Sequence, residues 1–174
     1  MSTPEPRHCV LVGLMGAGKS TIGSALAARL GWPFLDSDIE IQGATGQTVR
    51  ELRDDIGVDA MHALEAEQLL RALASPKPAV IGAAASVVDA PACLEALRDP
   101  TVLVVWLQAD PAVLAERFES ADDHRPAYGE STEGFLAQQL ARRGAAFESV
   151  ADVAVSVDSR PPDEVVALVV EALR

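Results

Sequence analysis

Aromatic side chains are scarce in this sequence, at 4% of 174 residues, although 49% of the chain is hydrophobic. The core must therefore be built from Ala, Val and Leu. Cysteine is scarcer still. Cys9 and Cys93 cannot make a disulfide framework, and each reads as a small buried hydrophobe. The three histidines are scattered, with no zinc-ligand spacing. Basic residues are outnumbered 14 to 26 by acidic ones, for a net charge of −12. That balance excludes a broad nucleic-acid surface, which needs clustered Lys and Arg. It does not exclude a nucleotide held by a local nest of backbone amides. No apolar run is long enough to cross a membrane, and the polar, Pro-rich stretch 2–6 carries no signal-peptide pattern. The expectation is a cytoplasmic protein with one domain over residues 1–174.

What is present is concentrated in Gly13-Leu14-Met15-Gly16-Ala17-Gly18-Lys19-Ser20, followed by Thr21. A Gly, four residues and then Gly-Lys-Ser is the phosphate-binding P-loop pattern. Its flanks agree with it. Cys9 to Val12 is a short apolar run that reads as a buried strand. Ile22, Ala25, Leu26 and Leu30 then recur at helical spacing. Glycines allow backbone N–H groups to curl around phosphate oxygens, and the helix N-terminus adds partial positive charge. Lys19 can reach the outer phosphates, and Ser20 can offer a hydroxyl to Mg²⁺.

Further along, Pro33 to Leu35 reads as a second strand ending at Asp36-Ser37-Asp38. Carboxylates at the C-terminal end of a strand in an α/β protein face the ligand crevice. If strand geometry persists, alternation puts Asp36 and Asp38 on one side. The same residues also suit a helix N-cap before Ile39-Glu40-Ile41. Helical patterns follow to Leu73, broken near Asp54 to Gly57, before a turn at Ser75 to Pro78. Ala79 to Ile81 makes a third strand. Asp89 is expected to open a helix over Pro91 to Leu97. Thr101 to Leu107 is the most apolar strand, and so is expected to be buried on both faces of a parallel sheet. A polar stretch from Ser120 to Ser131 has the length of a lid. A helix over Gly134 to Val150, a strand with alternating Val153, Val155 and Val157, and a helix over Pro161 to Leu173 complete the chain. Strands alternating with helices indicate a parallel α/β sandwich.

Together these residues resemble the shikimate kinase family over nearly the whole chain. The segment Val10 to Gly23, the acidic motif Asp36-Ser37-Asp38, Thr45-Gly46, Glu65 and Arg125-Pro126 carry the likeness. The resemblance implies a P-loop three-layer sandwich whose five-stranded parallel sheet has the order 2-3-1-4-5, with helices on both faces. It also implies a substrate-binding segment at about 36–72 and a lid at about 120–132. The activity it implies is transfer of the γ-phosphoryl group of ATP, with Mg²⁺, to a hydroxyl of a small molecule. ATP would be held by Met15, Gly16, Ala17, Gly18, Lys19, Ser20, Thr21, Arg117, Arg125 and Arg160. Lys19, Asp38 and Arg125 would be catalytic, and Ser20 and Asp36 would hold the metal. Asp38, His62, Ala83, Ala84, Ala85 and Arg143 would line the substrate pocket. A monomer working on small molecules, with neither nucleic acid nor membrane as partner, is implied.

Two departures from the family pattern fall in that pocket. The family has an Arg where this chain has His62, and losing one charge-assisted contact costs about 1.5–3 kcal/mol. It also has three glycines where this chain has Ala83-Ala84-Ala85. Any of those positions with φ > 0 would be strained by about 1–2 kcal/mol. An altered pocket is the expectation. Shikimate, another cyclic polyol or sugar acid, or a nucleotide-binding regulatory role therefore all remain open at this level.

Overall fold

The computed structural model describes residues 7–120 and 131–174. β1 (His8–Val12) is buried along its whole length. It feeds the glycine loop and then α1 (Lys19–Leu30), which stops where Gly31 adopts a left-handed conformation and returns its N–H to Ala27 O. Then come β2 (Phe34–Asp36), α2 (Ser37–Thr45), α3 (Val49–Ile56) and α4 (Val58–Leu73). β3 (Ala79–Gly82) leads through a 3₁₀ turn, Ala85–Asp89, into α5 (Pro91–Leu97). β4 (Val102–Gln108), α6 (Pro111–Ser120), α7 (Thr132–Val150), β5 (Val153–Ser156) and α8 (Pro162–Ala172) complete the order.

The five strands form one sheet in the order β2-β3-β1-β4-β5, and each neighbouring pair is parallel. β1 lies at its centre, with Leu11 opposite both Gly82 and Val105. The long β4 is buried from Val102 to Val105, as its apolar run predicts. α1 packs on α8 and β3, while α6 packs on α7, which also meets β4. The core is aliphatic. Among the described residues Phe147 is its one fully buried ring, set 5.8 Å from Trp106. Cys9 and Cys93 are both buried free thiols, and burial pushes Cys9 up to about 12.

A second, smaller cluster of Ile41, Leu52 and Met61 joins α2, α3 and α4 outside the main core. At about 1.5–3 kcal/mol per buried side chain, it supports this excursion with far fewer contacts than the sheet enjoys. A capping box at Thr48 and Glu51 fixes the start of α3.

Three local expectations are corrected. The strand does not persist through Asp38: Asp36 caps α2, its Oδ1 accepting from Asp38 N at 3.0 Å, so the two carboxylates do not alternate along a strand. Asp89 does not cap α5. Ala90 takes that position, because the 3₁₀ turn ends at Asp89 and its side chain is drawn elsewhere. Finally, among the described residues none other than glycine has a positive φ, so Ala83, Ala84 and Ala85 carry none of the backbone strain anticipated for them. Ala84 is extended, with φ −62 and ψ 149.

Candidate active site

The carboxyl ends of β1, β2 and β3 open into one cleft of about 990 Å³. At one end lies the glycine loop. Gly13 has φ +144, and a Cβ there would sit 2.7 Å from Leu107 O. Gly18, left-handed at φ 92, is the N-cap of α1 and has no side chain to spend on the helix end. The first-turn N–H groups of Lys19, Ser20 and Thr21 therefore face the loop, where an anion is favoured. Lys19 Nζ donates to Gly13 O at 2.8 Å and to Leu14 O at 3.0 Å, folded over the loop it belongs to.

Ser20 Oγ donates to Asp36 Oδ2 at 2.6 Å, which joins the start of α1 to the end of β2. These are two hard oxygen donors side by side. They suit Mg²⁺, which takes few protein ligands and completes its shell with water and phosphate. Among the described residues, no group of three or more His, Cys, Asp or Glu could hold a metal. Asp38, in the first turn of α2, also lines the cleft.

The opposite wall is cationic and partly buried. Arg143 from α7 is 6% exposed. Its Nε donates to both carboxylate oxygens of Asp89 at 3.2 and 3.1 Å, and its Nη2 donates to Oδ2 at 2.7 Å. Its Nη1 donates to Gln139 Oε1. Arg142 Nη2 lies 3.6 Å from the same Asp89 oxygen. Burial opposes ionisation of Asp89, but the Arg143 hydrogen bonds and charge outweigh it and hold the carboxyl below its usual range. His62 faces this group from α4. Burial first, and then the positive charge of Arg143, lower its pKa, so it is neutral at pH 7. Glu65, one turn further on, is buried and accepts a hydrogen bond from Ser86 Oγ. Burial raises its pKa; the Ser86 bond opposes the rise and the nearby charge of Asp38 adds to it.

The cleft thus gathers most of the residues that the sequence marked. Met15, Gly16, Gly18, Lys19, Ser20, Thr21, Asp36 and Asp38 line it, together with Arg117, His62, Ala83 to Ala85 and Arg143. Arg117 bridges from α6, donating to Val157 O at 2.6 Å and to Gly16 O at 3.5 Å. Two residues stand apart. Ala17 is 1% exposed, and its N–H turns back to Leu14 O at 3.2 Å. Arg160 pairs with Glu164 at 2.9 Å, away from the lining. Arg125 and most of the expected lid lie outside the described residues. Asp89, Gln139 and Ser86 were missed from the sequence. The partners of Asp89 and Ser86 are distant in the chain, whereas Gln139 lies one helical turn before Arg143, a spacing that could have found it.

The chain is similar to known proteins of one family. A family model described as shikimate kinase matches residues 15–174. A shikimate kinase of Zymomonas mobilis is 34% identical over 173 residues, covering 99% of this chain and 96% of that one. The crystal structure of a Bacteroides thetaiotaomicron shikimate kinase superposes with a TM-score of 0.85 at 27% identity, covering 95% and 97% of the two chains. An Acinetobacter baumannii shikimate kinase in complex with shikimate gives a TM-score of 0.88 at 25% identity, over 97% and 93%.

Proposed function

This chain belongs to the shikimate kinase family, and from that premise we propose that it transfers the γ-phosphoryl group of ATP to a ring hydroxyl of shikimate. The observation that carries the proposal is the placement of Lys19, Ser20 and Asp38 against one side of a cleft whose other wall holds Arg143. A nucleotide's phosphates would lie over the glycine loop, with Arg117 toward the base. Lys19 would leave the carbonyls of Gly13 and Leu14 and meet the outer phosphates, and Arg125 would act with it on the transferring group. Arg160 would flank the base from the end of β5.

Asp38 would accept a hydrogen bond from the acceptor hydroxyl and take its proton as the new O–P bond forms. The bond from the γ-phosphorus to the bridging oxygen breaks in the same step, and ADP leaves. The enzyme supplies positioning and fixed charge, which is what a loose phosphoryl transition state requires. Mg²⁺ fits the Ser20–Asp36 oxygen pair. When bound there, it neutralises charge on the phosphate oxygens. The acceptor carboxylate would lie against the wall of Arg143, Arg142 and His62, with Ala84 and Ala85 beneath the ring.

The same reading takes the protein to work as a monomer. The net charge of −12 supports small-molecule rather than nucleic-acid partners. Consumption of ATP supports a cytoplasmic setting. No helix among the described residues is long and apolar enough to cross a membrane.

The test is ADP release with shikimate and with a panel of cyclic polyols lacking a carboxylate, the product being identified by mass. Shikimate-dependent ADP release with formation of a phosphate monoester is the expected result. ADP release with a polyol but none with shikimate would overturn the assigned acceptor. Tight ATP binding with no acceptor turned over would favour a regulatory role.

A further inference from the structure

We propose that Asp89 sets acceptor affinity by acting as an internal carboxylate, occupying Arg143 in competition with the carboxylate of the substrate. The inference rests on the reading of shikimate as acceptor.

A guanidinium offers a carboxylate two bidentate edges, Nε with Nη2 and Nη1 with Nη2. Asp89 fills the first, at 2.7 to 3.2 Å. Nη1, which belongs to the second, already donates to Gln139 Oε1. Arg143 is also only 6% exposed, although it borders the cleft. A residue that merely braced Arg143 from behind would leave one edge open toward the acceptor, but here the chain's own acceptors engage both. Arg142 leans on the same Asp89 oxygen at 3.6 Å, so a second cation of this wall is shared with the internal carboxylate.

Neither His62 nor Glu65 restores the lost charge. His62 is held neutral by burial and by Arg143, and Glu65 is turned away onto Ser86. Arg53 adds positive charge in the vicinity of both His62 and Glu65. An incoming carboxylate must therefore displace Asp89 from Arg143 or bind beside it, against like charge. In either case the acceptor's carboxylate is bound less tightly than two arginines alone would hold it.

The decisive experiment compares wild type with Asp89→Asn, Asp89→Ser and Asp89→Glu. Steady-state kinetics with shikimate and calorimetric binding of shikimate to the ADP-loaded protein are both measured, and each variant's melting temperature is recorded. The expected result is an acceptor KM and Kd about tenfold lower in Asp89→Asn, the size of one charge-assisted contact, with a smaller change in kcat. Asp89→Glu, which keeps the charge, should stay near wild type. A KM unchanged or raised in Asp89→Asn and Asp89→Ser would overturn the proposal and make Asp89 a support for Arg143. An equal gain in Asp89→Glu would also overturn it, since charge would then not be the cause. If neither neutral variant folds, Asp89 is a structural anchor and the proposal falls. A wild-type protein without shikimate turnover instead overturns the acceptor reading. Calorimetry still decides the proposal in that case, because tighter shikimate binding by Asp89→Asn needs no turnover.

Discussion

On the phosphate side of the cleft, Leu14, Ala17 and Ile22 carry the glycine loop and α1 into the main core. On the acceptor side, α2, α3 and α4 are joined by a separate cluster of Ile41, Leu52 and Met61. The first wall is continuous with the central strand of the sheet. The second meets the main core through Leu69, Ala83 and Leu136, and hangs on a few side chains only where α2, α3 and the start of α4 join. Phosphates are common to every nucleotide, so their cradle can be rigid and built from backbone. Acceptor recognition is built from side chains, and it is there that the sequence is expected to leave the family pattern, at His62 and Ala83 to Ala85. Of the departures, His62 follows Met61 of the smaller cluster, whereas Ala83 is packed into the main core.

That contrast can be broken most sharply at Lys19. Lys19→Ala should lower kcat by about 10²–10³-fold or more, because Lys19 is the one cationic side chain of the loop. Near-normal turnover in a coupled ADP assay would mean that the phosphate wall is dispensable. The contrast can be sharpened at His62. His62→Arg should lower the acceptor KM about tenfold while leaving the KM for ATP nearly unchanged. If both constants moved together, the two walls would not be independent.

The smallest effect is expected at Glu65. Its folded pKa is raised, so between the ordinary value of 4.5 and the raised one the folded chain binds a proton that the unfolded chain does not. Stability from this group therefore grows as pH falls through that window, and a penalty remains above it. Glu65→Gln keeps a side-chain oxygen for Ser86 and removes the buried charge. Its melting temperature should exceed that of wild type at pH 8, and the gap should narrow toward pH 5. A variant less stable than wild type at pH 8 would show that the ionised carboxylate is needed by the surrounding arginines.

The phosphate wall was legible because its requirements are local. Gly13 and Gly18 need backbone conformations that only glycine adopts readily, Lys19 and Ser20 follow at fixed spacing, and apolar runs flank them. Asp36 was legible in both of its roles, as cap and as site residue, for the same reason. The acceptor wall was not. Asp89 and Arg143 lie 54 residues apart, and Glu65 and Ser86 lie 21 apart. Only the completed sheet brings them together. The strain expected at Ala83 to Ala85 failed on a backbone angle that residue type does not reveal. Where the family's glycines stand, this chain runs without any positive φ and carries methyl groups there at no conformational cost.

The position of β1 has a consequence for how the chain is made. Its partners are residues 79–82 on one side and 102–106 on the other. β1 leaves the ribosome before either partner strand and must wait for residues 102–106 before it has both neighbours. Contacts so distant in sequence form slowly, and until then an apolar strand stands without its sheet and the glycine loop without its anchor. Nucleotide can stabilise only the finished arrangement. The newborn chain is therefore most exposed to misassociation at the very segment on which its later chemistry depends.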